Sequence, residues 1–213
     1  ARRLSQLGEI SKVQGNSRIK RAYNPKSRRS YVSQAALQQR AATRSGVAAG
    51  RFSDPGLAYQ WHYTNSGNNA FDKTNSTGET LAGSIAGCDV GCYEAWQKCT
   101  GDPSVIVAVL DDGVMYTHPD LAGNIWVNDK EELYAGTDAD GNGYKDDRYG
   151  YNFVHNTAAI SWTDVSDIGH GTHVSGTIAA MNNGYGVCGI AGGDGTKDSG
   201  VKIMICQVFA GEN

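Results

Sequence analysis

Two short motifs carry residue types that can transfer protons. Asp111 and Asp112 directly follow an apolar run, and His170 lies in a second motif, Gly-His-Gly-Thr-His-Val-Ser-Gly. An Asp at the carboxyl end of a buried strand can orient an imidazole. A His at a helix N-terminus feels the positive end of the helix dipole, which disfavours its charged form and suits it to act as a neutral general base. The sequence therefore predicts that Asp111 and His170 form an acid–base pair.

Each motif also has a plainer interpretation. The two aspartates could close the strand as an Asx-type turn. His170 and His173 lie three residues apart and could bind zinc, but no third ligand has a suitable spacing. Among the five cysteines, Cys88, Cys92 and Cys99 lack the two-residue spacing of a zinc cluster, and the remaining two, Cys188 and Cys206, could be buried apolar side chains.

The hydrophobic pattern indicates which elements hold these residues. An unbroken β-branched run predicts a strand over residues 105–110 that is buried on both faces, and a second strand is predicted over 201–209. We expect a helix over 170–181 and a shorter one over 89–99, with Val90, Tyr93, Ala95 and Trp96 on its apolar side. Residues 123–165 are predicted to be mainly loop. Strand, long connection, helix and strand together favour an α/β fold.

Three blocks of sequence, Val107–Val114, His118–Leu121 and His170–Ala180, have an order and separation that resemble the subtilisin-like serine protease family (subtilases, peptidase S8). Residues 54–61, 94–96 and 100–102 extend the resemblance. It implies a three-layer α/β fold with a mainly parallel sheet, present here as the N-terminal half. It also implies that Asp111 is the triad aspartate and His170 the general base of a serine endopeptidase that hydrolyses proteins or peptides.

One part of the family pattern is missing from this sequence. The Gly-Thr-Ser motif that bears the nucleophile is absent, as is the Asn of the oxyanion hole, and no Ser here has the required context. We therefore expect the serine on a C-terminal fragment of the same protease, separated by a nick after Asn213, or on a missing C-terminal part. The alternative is a catalytically inactive, calcium-stabilised binding or scaffold module with the subtilase fold.

Charge divides the chain near residue 50. Residues 1–50 hold eleven of the 19 basic residues and one of the 22 acidic ones. We interpret 1–50 as a basic pro-segment tail or linker, as in a zymogen, and 51–213 as the N-terminal part of the catalytic domain. The cysteine count favours an oxidising compartment, so we expect a secreted or cell-envelope protein. No apolar run is long enough to span a membrane, and no nucleic-acid-binding motif is present, although a basic arm could still tether an anionic surface.

Calcium is the expected cofactor, at two sites. A glycine-containing loop has oxygen ligands at EF-hand-like positions, although Tyr149 stands where an EF-hand has Glu. The candidate ligands of this loop are Asp138, Asp140, Asn142, Tyr144 and Asp146. The resemblance implies a second site, with Asp54, Asp120, Asn183 and the carbonyl groups of Tyr185 and Val187 as ligands.

Asp112, which follows Asp111, is a candidate substrate-binding residue. Asp112 is similar to the second acid of the kexin and furin branch of the family, where it helps to recognise a basic substrate residue. The resemblance therefore implies that Asp112 binds substrate. The plainer interpretation is a surface charge beside the active site.

Overall fold

A computed structural model describes residues 52–65, 86–163 and 169–209. They form three strands, β1 (Ile106–Asp111), β2 (Gly150–Asn152) and β3 (Lys202–Gln207), and two α-helices, α1 (Cys92–Trp96) and α2 (His170–Ala179). Short 3-10 helices lie at Pro55–Tyr59 and Ala122–Asn124. The prediction of a pro-segment or linker at residues 1–50 falls outside the described residues.

The three strands form one parallel sheet with the order β1-β3-β2. Asp111 and Asn152, the last residues of β1 and β2, both pair with Gln207, the last residue of β3. The carboxyl ends of all three strands therefore meet at one edge, which is where ligands bind to open parallel sheets. The α/β prediction is confirmed, and β2 is a strand within a stretch that was predicted to be loop.

Helix α2 lies against one face of this sheet and encloses the main core. The buried apolar side chains of this core are those of Val109, Val114, Leu121, Ile125, Ala179, Val201, Ile203 and Ile205. The prediction that β1 is buried on both faces is wrong for the described residues, because Ile106 and Leu110 are 50% and 62% exposed. These side chains alternate with the core residue Val109 and point to the opposite face of the sheet.

A second, smaller cluster joins helix α1 to the segment after the Pro55–Tyr59 turn. Helix α1 is shorter than predicted because Gly91 takes a left-handed conformation (φ 68°) and donates its N–H to the Asp89 carboxylate. Val90, predicted on the apolar side, is 66% exposed. The buried residues of the cluster are Tyr63, Cys92, Trp96 and Cys188. None of the described helices is long and apolar enough to cross a membrane.

Candidate active site

The end of β1 and the start of α2 bring the two predicted proton-transfer residues together. Asp111 Oδ1 lies 2.8 Å from His170 Nδ1, across 59 residues of sequence. The Asp111 side chain is 14% exposed and that of His170 is 53% exposed. A carboxylate at Nδ1 favours the tautomer with its proton on Nδ1, so Nε2 carries the basic lone pair. Such an arrangement can accept a proton at Nε2, which is the chemistry of a general base.

Asp112 lies between the strand and the helix. Its side chain is 3% exposed, and its Oδ1 accepts a 2.6 Å hydrogen bond from the Gly171 N–H. Burial raises the pKa of Asp112, and the charge of Asp111 adds to the rise. A Cβ at residue 171 would overlap the Gly113 carbonyl oxygen and lie 2.7 Å from Asp112 Oδ1, so this contact requires glycine. The structure thus directs the predicted substrate-binding carboxylate toward the N-terminus of α2.

Two further polar residues of this edge were missed by sequence reasoning. Thr172 Oγ1 accepts the Met115 N–H at 3.0 Å and so joins α2 to the loop after β1. Gln207 is fully buried, and its Oε1 accepts the Ser161 N–H at 2.9 Å. An amide at the end of a mainly apolar strand was the available signal for Gln207, since a buried amide needs hydrogen-bond partners.

A cavity of about 510 Å³ borders the outer side of α2. His62, His118 and His173 line it together with Met115 and Trp162. The pKa of His62 is lowered by burial and by the nearby His173. Within the described residues, no three potential metal ligands converge in this cavity, or around Cys88, Cys92 and Cys99.

Two buried carboxylates fasten the segment around Asp54 to the loop after α2. Asp54 Oδ1 accepts the Asn183 N–H at 3.0 Å, and Asp120 Oδ2 accepts the Val187 N–H at 2.9 Å. Both side chains are at least 95% buried, and Asp54 Oδ2 and Asp120 Oδ1 have no hydrogen-bond partner among the described residues. Burial raises the pKa of Asp120, and the Asp54 charge contributes. Two buried acids with unpaired oxygens suit a hard divalent cation.

The glycine-containing loop does not group its carboxylates as the EF-hand-like pattern predicts. Ligand atoms of Glu131, Asp140 and Asp147 all lie within 4.8 Å of one another, and Glu131 is fully buried. Of these three, only Asp140 was predicted. The prediction missed Glu131 because it lies upstream of the loop, where it accepts hydrogen bonds from the loop's backbone N–H groups at residues 139, 140 and 146. It missed Asp147 because the EF-hand-like spacing selects Asp146 instead.

Of the other predicted ligands of this loop, Asp138 and Asp146 bind backbone N–H groups, and Asn142 binds both side chains and backbone. Asp138 accepts the N–H groups of Asn142 and Gly143, and Asp146 accepts that of Gly136. Asn142 donates its side-chain N–H to Asp147 at 2.9 Å, while its oxygen accepts the Tyr144 N–H. A cation in this loop would therefore lie nearest to Glu131, Asp140 and Asp147.

Comparisons with known proteins agree on one family. The model of the subtilase family matches residues 102–212. Subtilisin-like protease 1 of Plasmodium vivax is 46% identical over 106 residues, which cover 48% of this chain and 15% of that protein. Fervidolysin of Fervidobacterium pennivorans is 35% identical over 138 residues (62% and 15%), and the extracellular serine protease of Aeromonas sobria is 33% identical over 132 residues (62% and 16%). The chain thus matches only 15–16% of the length of each of these relatives.

Proposed function

The chain belongs to the subtilase family, and we propose that it supplies the Asp and His of an Asp-His-Ser triad in a subtilisin-like serine endopeptidase. The observation that carries this proposal is the 2.8 Å contact between Asp111 Oδ1 and His170 Nδ1. It joins two residues from separate motifs at the carboxyl edge of a parallel sheet. Its chemistry, a carboxylate that orients an imidazole, is the one that serine hydrolysis requires.

Each residue has a defined role in this reaction. His170 Nε2 takes the proton of the serine hydroxyl as the serine oxygen attacks the peptide carbonyl, and later returns it to the leaving amine. Asp111 fixes the imidazole tautomer and stabilises the imidazolium that forms between these steps. The start of α2 disfavours a cation, so the adjacent carboxylate offsets that effect while the imidazole is charged.

The serine belongs to a further part of the same protease. Ser175 is fully buried on α2, and Ser199 binds the loop of Asp194 through its hydroxyl, so neither meets His170. The exposed apolar side chains Ile106 and Leu110 support the proposal that this part packs against their face of the sheet. A relative named as an extracellular protease supports action outside the cytoplasm.

Calcium is the proposed cofactor, with a stabilising role. At the first site Asp54 and Asp120 would hold the ion with Asn183 and the carbonyl groups of Tyr185 and Val187. The two unpaired buried oxygens support this assignment. At the second site Glu131, Asp140 and Asp147 would hold the ion. Calcium supplies positive charge among crowded carboxylates and so stabilises the loops that it joins.

Fluorophosphonate labelling of the intact protease that contains this chain tests the proposal. The probe reacts with an activated serine: the bond from serine oxygen to phosphorus forms, fluoride leaves, and His170 takes the hydroxyl proton. We expect labelling of the wild type and of His173→Ala, which alters an exposed His on the same helix, and none of His170→Ala. A folded wild type that takes no label would contradict the protease and favour the catalytically inactive module.

A further inference from the structure

Helix α2 lacks a side-chain cap of its own. Its N-cap residue is Gly169, in a left-handed conformation with φ 88°, and no side-chain hydrogen bond caps the helix from that position. The first N–H groups of any helix have no partner within the helix, so an acceptor must come from elsewhere. Here the acceptor for Gly171 N–H is Asp112 Oδ1, from the residue that follows β1.

The same residue also contacts the triad aspartate. The Asp112 N–H donates to Asp111 Oδ1 at 2.8 Å, and this is the oxygen that lies 2.8 Å from His170 Nδ1. Asp112 therefore contacts both partners: its N–H binds the Asp111 carboxylate, and its side chain binds the residue after His170. A displacement of Asp112 would move the carboxylate and the imidazole relative to each other.

We infer that Asp112 is a positioning residue that sets the contact between Asp111 and His170, an inference that rests on the proposed function. Its burial argues against direct recognition of a basic substrate residue, because only 3% of its surface is exposed. The Asp111 carboxylate from β1 and the His170 backbone N–H from α2 face its side chain. Its own contacts are to Asp111 and Gly171, so it acts through the Asp111–His170 pair.

The second carboxylate oxygen of Asp112 determines which substitutions are informative. Asp112 Oδ2 is buried and has no hydrogen-bond partner among the described residues. Asp112→Asn keeps an oxygen for the Gly171 N–H and places an amide group toward Asp111. Asp112→Ala removes the acceptor and leaves Gly171 unpaired. The two variants therefore separate the hydrogen bond from the charge.

The first test follows the His–Asp contact itself and needs no activity. In the intact protease with ¹⁵N-labelled His, the low-field proton resonance of His170 Nδ1–H reports its hydrogen bond to Asp111, and Asp111→Asn identifies the signal. We expect the resonance in the wild type and in Asp112→Asn, and its loss or broadening in Asp112→Ala. An unchanged resonance in Asp112→Ala would overturn the inference, as would its absence from the wild type. If the Ala variant does not fold, Asp112→Ser replaces it, because the shorter side chain also leaves Gly171 unpaired.

The second test distinguishes positioning from substrate binding. Two peptides are compared that differ only in having Lys or Ala at the second residue on the N-terminal side of the scissile bond. Their hydrolysis is measured with the wild type, with both Asp112 variants and with the exposed-site control Asp102→Ala. Positioning predicts that Asp112→Ala lowers kcat at least about tenfold on both peptides with KM within about threefold, and that Asn restores most of kcat. A loss confined to the Lys peptide, or an Asn variant as slow as Ala, would overturn it. A wild type inactive on both peptides contradicts the proposed function, while the resonance still decides the role of Asp112.

Discussion

Two regions of the molecule position their carboxylates in different ways: the junction where Asp111 contacts His170, and the acidic loop that contains Glu131, Asp140 and Asp147. At the junction, Asp111 ends a strand and His170 begins a helix, so two regular elements fix the 2.8 Å contact between them. In the loop, Glu131 lies outside the regular elements and is positioned by three backbone N–H groups from residues 139–146. A residue at the end of a strand or helix has a position that can be predicted from the sequence pattern of that element. In a loop, the residues that come together depend on the path of the backbone, which no local pattern gives.

The two regions also differ in charge balance. The junction pairs a carboxylate with an imidazole that becomes a cation during the proposed reaction. The loop gathers three acids without a basic partner among them, and burial raises the pKa of Asp147, with Asp140 and Glu131 adding to the rise. Like charges in one buried site destabilise it unless a cation binds. We therefore expect substitutions at the junction to change the rate, and substitutions in the loop to change the response to calcium.

The largest expected effect is at the junction. His170→Ala removes the proposed general base, and we expect kcat for peptide hydrolysis by the intact protease to fall about 10⁵- to 10⁶-fold, the scale of losing a triad member. The measurement is steady-state kinetics, with a thermal melt to show that the variant folds. His173→Ala, on the same helix, is the control and should stay within about threefold of the wild type. A comparable loss of kcat in both variants would contradict a specific role of His170 in the reaction.

Calcium removal should have the next largest effect. Saturating calcium stabilises its folded site by about 3 kcal/mol at a hundredfold excess over Kd, so EDTA should lower the Tm by roughly 5 to 10 °C. Asp120→Asn should shrink this difference, because it removes a site carboxylate and also relieves its repulsion with Asp54. Differential scanning calorimetry with and without calcium measures both. A Tm that does not respond to EDTA would contradict both calcium sites.

Within the acidic loop, Glu131→Gln and Asp138→Asn test which carboxylates bind the ion. We expect Glu131→Gln to lower the Tm in calcium by a few °C, because a buried charged ligand is lost, at roughly 1 to 3 kcal/mol. Asp138→Asn should change it by less than about 1 °C, because Asp138 lies outside the group of Glu131, Asp140 and Asp147 and accepts N–H groups of its own loop. The reverse order would restore the EF-hand-like ligand set that the sequence predicted.

The smallest expected effect is a pH dependence at the junction. Burial raises the pKa of Asp112 above its usual 3.8, so the folded state holds this proton more tightly than the unfolded state. Stability from this group is present below pH 3.8 and declines as pH rises through the raised pKa. The Asn side chain of Asp112→Asn does not titrate. The difference in Tm, variant minus wild type, should therefore increase as the pH rises from 3.8 through the raised pKa of Asp112, and then stay constant. A difference that decreases with rising pH would contradict the sign.

The sequence predicted the junction well because long periodic segments determine it. The apolar run before Asp111 and the helical pattern after His170 both correspond to regular elements within one or two residues of their predicted ends. It missed β2 because a three-residue strand is defined only by its pairing with β3. It placed Val90 on an apolar face that the turn at Gly91 prevents, and it overlooked Glu131, whose partners lie beyond local sequence. Tertiary contacts decided the cases of β2 and Glu131, and a local turn decided that of Val90.

The most direct measurement of the central claim is the kcat of Asp111→Asn in the intact protease. The variant preserves the size of the side chain but removes the charge that orients and stabilises the imidazole. We expect kcat to fall about 10⁴-fold, with KM within a few-fold of the wild type and an unchanged fold. Asp102→Asn, at an exposed position before β1, is the matched control and should keep full activity. A kcat for Asp111→Asn within threefold of the wild type would contradict the assignment of Asp111 and His170 as the catalytic pair.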